Sequence, residues 1–121
     1  MDYTSENILT KRELINKIHE YNNDQFIISI DRQKNLDTLI KYDIDKDDIY
    51  NYINLLTEKN YKKYINNLDS RYKCKYLYQF RIVISLCDEF GISTRVPIYI
   101  KVGFHINGKI LYVVSFHEDD D

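Results

Sequence analysis

The dipeptide Asn107-Gly108 stands between two runs rich in β-branched and aromatic residues, Ile98 to Ile106 and Lys109 to His117. Asn-Gly in that setting is the strongest short-range hairpin signal, because a type I′ turn needs positive φ at both central positions and these two residues tolerate it best. A two-residue turn also fixes the register of the strands it joins. Ile106 is then predicted opposite Lys109, Phe104 opposite Leu111, Val102 opposite Val113 and Ile100 opposite Ser115, sharing a core face with Ile98 and His117. The other face carries Tyr99, Lys101, Gly103 and His105 against Phe116, Val114, Tyr112 and Ile110. It presents Tyr99, Lys101, His105 and Tyr112 together.

A third strand precedes these two. Tyr76, Tyr78, Phe80, Ile82, Ile84 and Leu86 alternate with Leu77, Gln79, Arg81, Val83 and Ser85, a period of two that predicts a strand with one apolar face. If it joins the same sheet, Gln79 and Arg81 fall on the mixed face. Cys87 to Val96 reads as a connection, and Pro97 as the start of the next strand, where a missing N–H is tolerated. Upstream the period is helical. Thr10 and Glu13 form a capping box before Leu14, Ile15, Ile18 and Tyr21, predicting a helix over about 11–22 with a possible start near Ser5. Phe26 to Ile30 is a short candidate strand. Leu36, Leu39 and Ile40 predict a helix over about 33–42. Asp45 caps a helix whose stripe is Ile49, Ile53 and Leu56. Thr57-Glu58 opens a further short helix carrying Tyr61, Lys62 and Ile65, and residues 66–75 read as a loop.

The expected class is α+β: a helical part over about 5–65 packed on an antiparallel sheet over about 76–117, with an acidic tail at 118–121. At 121 residues the chain fits one domain with one core. The start lacks a signal-peptide pattern, and no apolar run approaches the ~20 residues of a membrane span, so the expected location is cytoplasmic. Cys74 and Cys87 make neither a disulfide framework nor a zinc motif; no metal or other cofactor is expected.

The net charge of −2 conceals a division. Residues 1–58 hold 7 Lys/Arg against 12 Asp/Glu, residues 59–109 hold 10 against 3, and the last four residues are all acidic. A basic middle suits phosphate; it equally suits a solvated face. The same two readings apply to the mixed sheet face. Cleaving RNA requires removing the 2′-OH proton, stabilising a charged phosphorane and protonating the leaving 5′-oxygen. Lys and Arg serve the second task, and Tyr can donate a proton or stack on a base. His105 can act as a base, although its place beside the turn equally fits a surface histidine. His117, at a strand end on the core side, reads as a partly buried, hydrogen-bonded residue.

Three segments extend this reading: Arg32 to Leu36 with Leu39 leading to Ile44; Ile53 to Lys62; and Ile98 to Val102 followed by Val113 to His117. Their order and spacing resemble the MqsR family of toxins from type II toxin–antitoxin systems, over roughly residues 26–118. The resemblance implies a RelE-like α+β fold, metal-independent cleavage of single-stranded mRNA, and neutralisation by a cognate antitoxin protein. It implies functional roles for Lys62 after Tyr61, for Gln79 after Tyr78, and for Tyr99 before Lys101. Arg81, Lys101, His105 and Tyr112 are then expected to bind substrate. The alternative is a non-enzymatic binding module of the same fold, either an inactive relative or a phage-encoded inhibitor of a host factor.

Overall fold

The structure, a computed structural model, describes residues 6–119. Helix α1 (Lys11–Ile18) begins at Thr10, whose hydroxyl accepts from the Glu13 N–H while the Glu13 carboxylate accepts from the Thr10 N–H. It ends at His19 rather than near residue 22; Tyr21 follows in a turn and stacks on Phe104 at 5.7 Å. The start suggested at Ser5 lies outside the described residues, and residues 6–10 are not helical. Strand β1 (Phe26–Ile28) is followed by α2 (Gln33–Lys41) and α3 (Lys46–Ile53), the latter capped by Asp45 in a reciprocal box with Asp48. Ile49, Ile53 and Leu56 are buried as their spacing requires.

The sheet is five-stranded and mixed, in the order β1-β5-β4-β3-β2, with β2 (Tyr61–Asn66), β3 (Tyr76–Cys87), β4 (Ser93–Phe104) and β5 (Leu111–Glu118). All neighbouring pairs are antiparallel except β1 and β5, which corrects the expectation of a purely antiparallel sheet. The helices cover one face. There α1 and α3 bury Leu14, Ile18, Ile49 and Ile53 against Phe80, Ile98, Ile100 and Phe116. The opposite face carries a smaller cluster of Tyr72, Cys74, Leu77, Tyr112 and Val114, formed where loop 67–75 folds back over the hairpin end. Gly103 makes that packing possible, since a Cβ there would stand 2.8 Å from both Cys74 Sγ and Leu77 Cδ2.

Four expectations about the strands are corrected. The hairpin turn is not type I′. Gly108 has φ +74° but Asn107 does not share the left-handed region, and Gly108 N–H donates to the His105 carbonyl at 2.8 Å. The last ladder contact is His105 N–H to Ile110 carbonyl, so the connection has four residues. Ile106 leaves the ladder because its N–H donates to the Lys73 carbonyl at 2.9 Å. Second, residues 57–65 are not a helix. A 3₁₀ turn at Glu58–Asn60 leads directly into β2. Third, Pro97 lies inside β4 and the connection before that strand is short, spanning residues 88–92. The Pro97 carbonyl accepts from Asp119 N–H at 2.8 Å, so its nitrogen also faces the side where β5 runs out, and the ladder loses a bond only at its end.

The fourth correction decides the site. Phe104–Leu111 and Val102–Val113 pair as expected, but the register then shifts between Lys101 and Val102. One extra residue enters β5, a β-bulge that reverses the side-chain parity beyond it. Phe116 turns to the core, fully buried, and His117 moves to the opposite face beside Tyr99. Asn35 of α2 meets the backbone just past the end of β1 and in the bulged part of β5. Its amide donates to the carbonyls of Ser29 (2.8 Å) and Val114 (3.1 Å), and its carbonyl accepts from Phe116 N–H (3.0 Å). Thr38, one turn on, accepts from Glu118 N–H at 2.9 Å. Helix α2 therefore buries the polar residues Asn35 and Thr38 while Ile40 stays 75% exposed, because it serves as the edge partner of β5 where β1 stops.

Candidate functional site

Beyond the part of the sheet covered by loop 67–75, the face opposite α1 and α3 opens into a cleft of about 660 Å³ lined by Lys34, Lys62, Lys63, Gln79, Arg81, Tyr99, His117 and Asp119. Its floor is one cross-strand row, Arg81–Tyr99–His117, contributed by β3, β4 and β5. The next row is Lys63–Gln79–Lys101–Ser115. A second bulge shapes the wall. Tyr61 pairs with Phe80 and Lys63 with Gln79, so one extra residue enters β2 at Lys62 and both lysines border the cleft. Bulges next to functional sites re-aim side chains in this way.

The polar groups are held by specific contacts. The Gln79 side chain stands beside the Tyr99 hydroxyl on the cleft wall. Burial raises the Tyr99 phenol above its usual range, a rise opposed by Gln79 and by the nearby Arg32 charge, so Tyr99 keeps its proton at neutral pH. The Tyr99 and His117 rings lie 5.2 Å apart, tilted by 45°. His117 Nδ1 is 2.9 Å from the Glu118 carbonyl. A carbonyl only accepts, so Nδ1 carries the hydrogen and, in the neutral ring, Nε2 holds the free lone pair. Arg81 Nε donates to the Asp119 carboxylate at 3.0 Å. That carboxylate is 19% exposed, so the acidic end of the described chain reaches back into the basic cleft.

The expected site residues divide. Lys62, Gln79, Arg81 and Tyr99 converge on the cleft. Lys101 borders an adjoining recess with Arg32, Asn66 and Asp69. Burial, then the Arg32 charge, lower its pKa from the usual lysine value. His105 and Tyr112 do not line the cleft. Tyr112 is buried in the smaller cluster, edge-on to Tyr72, and its hydroxyl accepts from Lys73 N–H. The His105 ring packs on Tyr112 while its Nδ1 accepts from Asn107 N–H at 3.0 Å, which fixes the turn. Sequence reasoning missed Lys34, Lys63, His117 and Asp119 as cleft residues. His117 and Lys63 enter through bulges, whose only signal was an apolar spacing of three: Val113 to Phe116, and Tyr61 to Tyr64.

A row offering a neutral phenol, a guanidinium and an imidazole with a free lone pair, flanked by two lysines, has the components of general acid–base chemistry on a phosphodiester. Among the described residues no three His, Cys, Asp or Glu side chains are grouped to hold a metal ion, and no helix is long and apolar enough to cross a membrane. Comparison of the chain with protein-family models, curated proteins and solved structures finds no match.

Proposed function

We propose that the protein is an endoribonuclease toxin of the RelE-like kind, similar to the MqsR family, which cleaves single-stranded mRNA and is held in check by a cognate antitoxin. The observation that carries the reading is the Arg81–Tyr99–His117 row with Lys62, Lys63 and Gln79 around one open cleft. His117 Nε2 takes the proton of a 2′-OH. The 2′-oxygen attacks the adjacent phosphorus, and Arg81 with Lys62 and Lys63 holds the charge that gathers on the non-bridging oxygens. The bond to the 5′-oxygen breaks as Tyr99 gives that oxygen its proton. The products are a 2′,3′-cyclic phosphate and a 5′-hydroxyl, and solvent returns a proton to Tyr99 and removes one from His117. Gln79 keeps the phenol oriented.

A second reading, a non-enzymatic module that binds an anionic partner, is favoured by one contact: Asp119 already occupies Arg81. Induced expression in a bacterial host with mapping of RNA 5′ ends separates the two. The toxin reading expects growth arrest and new 5′ ends, both lost in the Lys62→Ala, Tyr99→Ala double variant. Undiminished toxicity in that variant would sink it.

A further inference from the structure

The recess beside the cleft has a charge arrangement that the reaction above leaves unused. It measures about 510 Å³, and Arg32 and Lys101 face it. The two cations are close enough for Arg32 to depress the basicity of the half-buried Lys101. The carboxylate within reach is Asp69, which is already committed. Arg71 holds it through Nε (3.0 Å) and Nη2 (2.7 Å) and keeps its pKa down at about 2, whereas Arg32 Nη2 stands 3.9 Å away. Arg32 Nε is buried with no hydrogen-bond partner among the described residues. Two like charges held together in partial burial, with a donor unfilled, repel one another until an anion enters.

The recess also lies next to the cleft, since Lys101 pairs across the strands with Gln79 of the cleft wall. Lys101 follows Tyr99 by two residues on the same face of β4, about 7 Å along the strand, and Arg32 acts electrostatically on both side chains. We propose that Arg32 and Lys101 form a second phosphate subsite, so that the ligand is a single strand engaged through two adjacent phosphodiesters, one against Lys62, Lys63 and Arg81 and the next in this recess. The subsite follows from the charges alone; naming its occupant as a phosphodiester of the same RNA rests on the function proposed above.

The test uses full-length protein and uncleavable 2′-O-methyl oligonucleotides carrying either one phosphate or two, with affinity measured by fluorescence anisotropy across a salt series. The two-phosphate ligand is expected to bind about tenfold tighter. The Arg32→Gln, Lys101→Gln double variant is expected to lose that gain and flatten the salt dependence by about 0.7 in slope, the contribution of one neutralised phosphate on a single strand. It should still bind the one-phosphate ligand as the wild type does. Lys101→Arg, which keeps the charge, should retain the gain. Thermal unfolding checks that the variants fold. A two-phosphate gain that survives in the double variant overturns the subsite while leaving the RNA reading intact. If the wild type binds neither oligonucleotide, the RNA reading fails and takes the occupant's identity with it.

Discussion

Replacing Asn35 by alanine tests the link between α2, the β5 bulge and the site. Asn35 is fully buried, and its side chain meets three backbone groups at 2.8, 3.1 and 3.0 Å. Alanine leaves two carbonyls and one N–H unpaired in the interior, each costing about 1–3 kcal/mol, with some relief as water enters. A total loss of about 3–5 kcal/mol is a large share of the ~5–15 kcal/mol of a typical domain. For a chain of this size it lowers Tm by roughly 10–20 °C. Urea unfolding followed by circular dichroism measures the change. Thr38→Ala, which removes one bond to Glu118, serves as a scale and should cost about 1 kcal/mol. The Asn35 variant should also weaken the nuclear Overhauser contact between the Tyr99 and His117 rings, 5.2 Å apart in the wild type. Stability within 1 kcal/mol of wild type, with that contact intact, refutes the role given to Asn35.

Other outcomes follow from the same geometry. Asp119→Asn frees the Arg81 guanidinium and should tighten RNA binding about two- to fivefold at low salt, the scale of a partly exposed ion pair; unchanged affinity refutes competition at Arg81. Tyr99→Phe should lower kcat by about 10²–10⁴-fold while changing RNA affinity less than threefold, as expected for a lost proton donor. Burial pushes both the Cys74 thiol and the Tyr78 hydroxyl up to about 12. A raised folded-state pKa gives stability that is complete below the unfolded value and lost as pH rises through the folded one. Stability should therefore hold to about pH 9 and fall between about pH 9 and 12, and Cys74→Ala should remove the earlier part of the fall in denaturant titrations. His105→Ala should change the turn and stability by about 1 kcal/mol without reducing cleavage, since its ring nitrogen serves Asn107 N–H.

The long regular elements were legible because their periods are unbroken. Tyr76 to Leu86 alternates without interruption, and Thr10 and Asp45 carry their caps in the sequence itself. The hairpin's register near the turn was also legible, although its turn type was not, because a contact from Lys73 draws Ile106 out of the ladder. What failed has one physical origin. A period of two assumes that each strand residue has one partner, and a bulge breaks that assumption by a single residue. In β5 this exchanged Phe116 and His117 between faces. In β2 it left Tyr61 and Ile65 at a helical spacing and hid a strand. Both bulges re-aim side chains that line the cleft, so the sequence was least readable there. The burial of Asn35 and Thr38 was hidden for a related reason: their partners are backbone groups of β5 that only the fold brings near.

The most direct measurement is the chemistry of the RNA ends. Purified protein is incubated with a single-stranded RNA of mixed sequence in the presence of a chelator, alongside the His117→Ala and Lys62→Ala, Tyr99→Ala variants, and the fragments are analysed by mass spectrometry. The expected result is fragments ending in 2′,3′-cyclic phosphate and 5′-hydroxyl from the wild type, with the yield falling at least a hundredfold in both variants. Intact RNA with the wild type, or equal cleavage by the variants, would contradict the assignment of the Arg81–Tyr99–His117 row as the reacting centre.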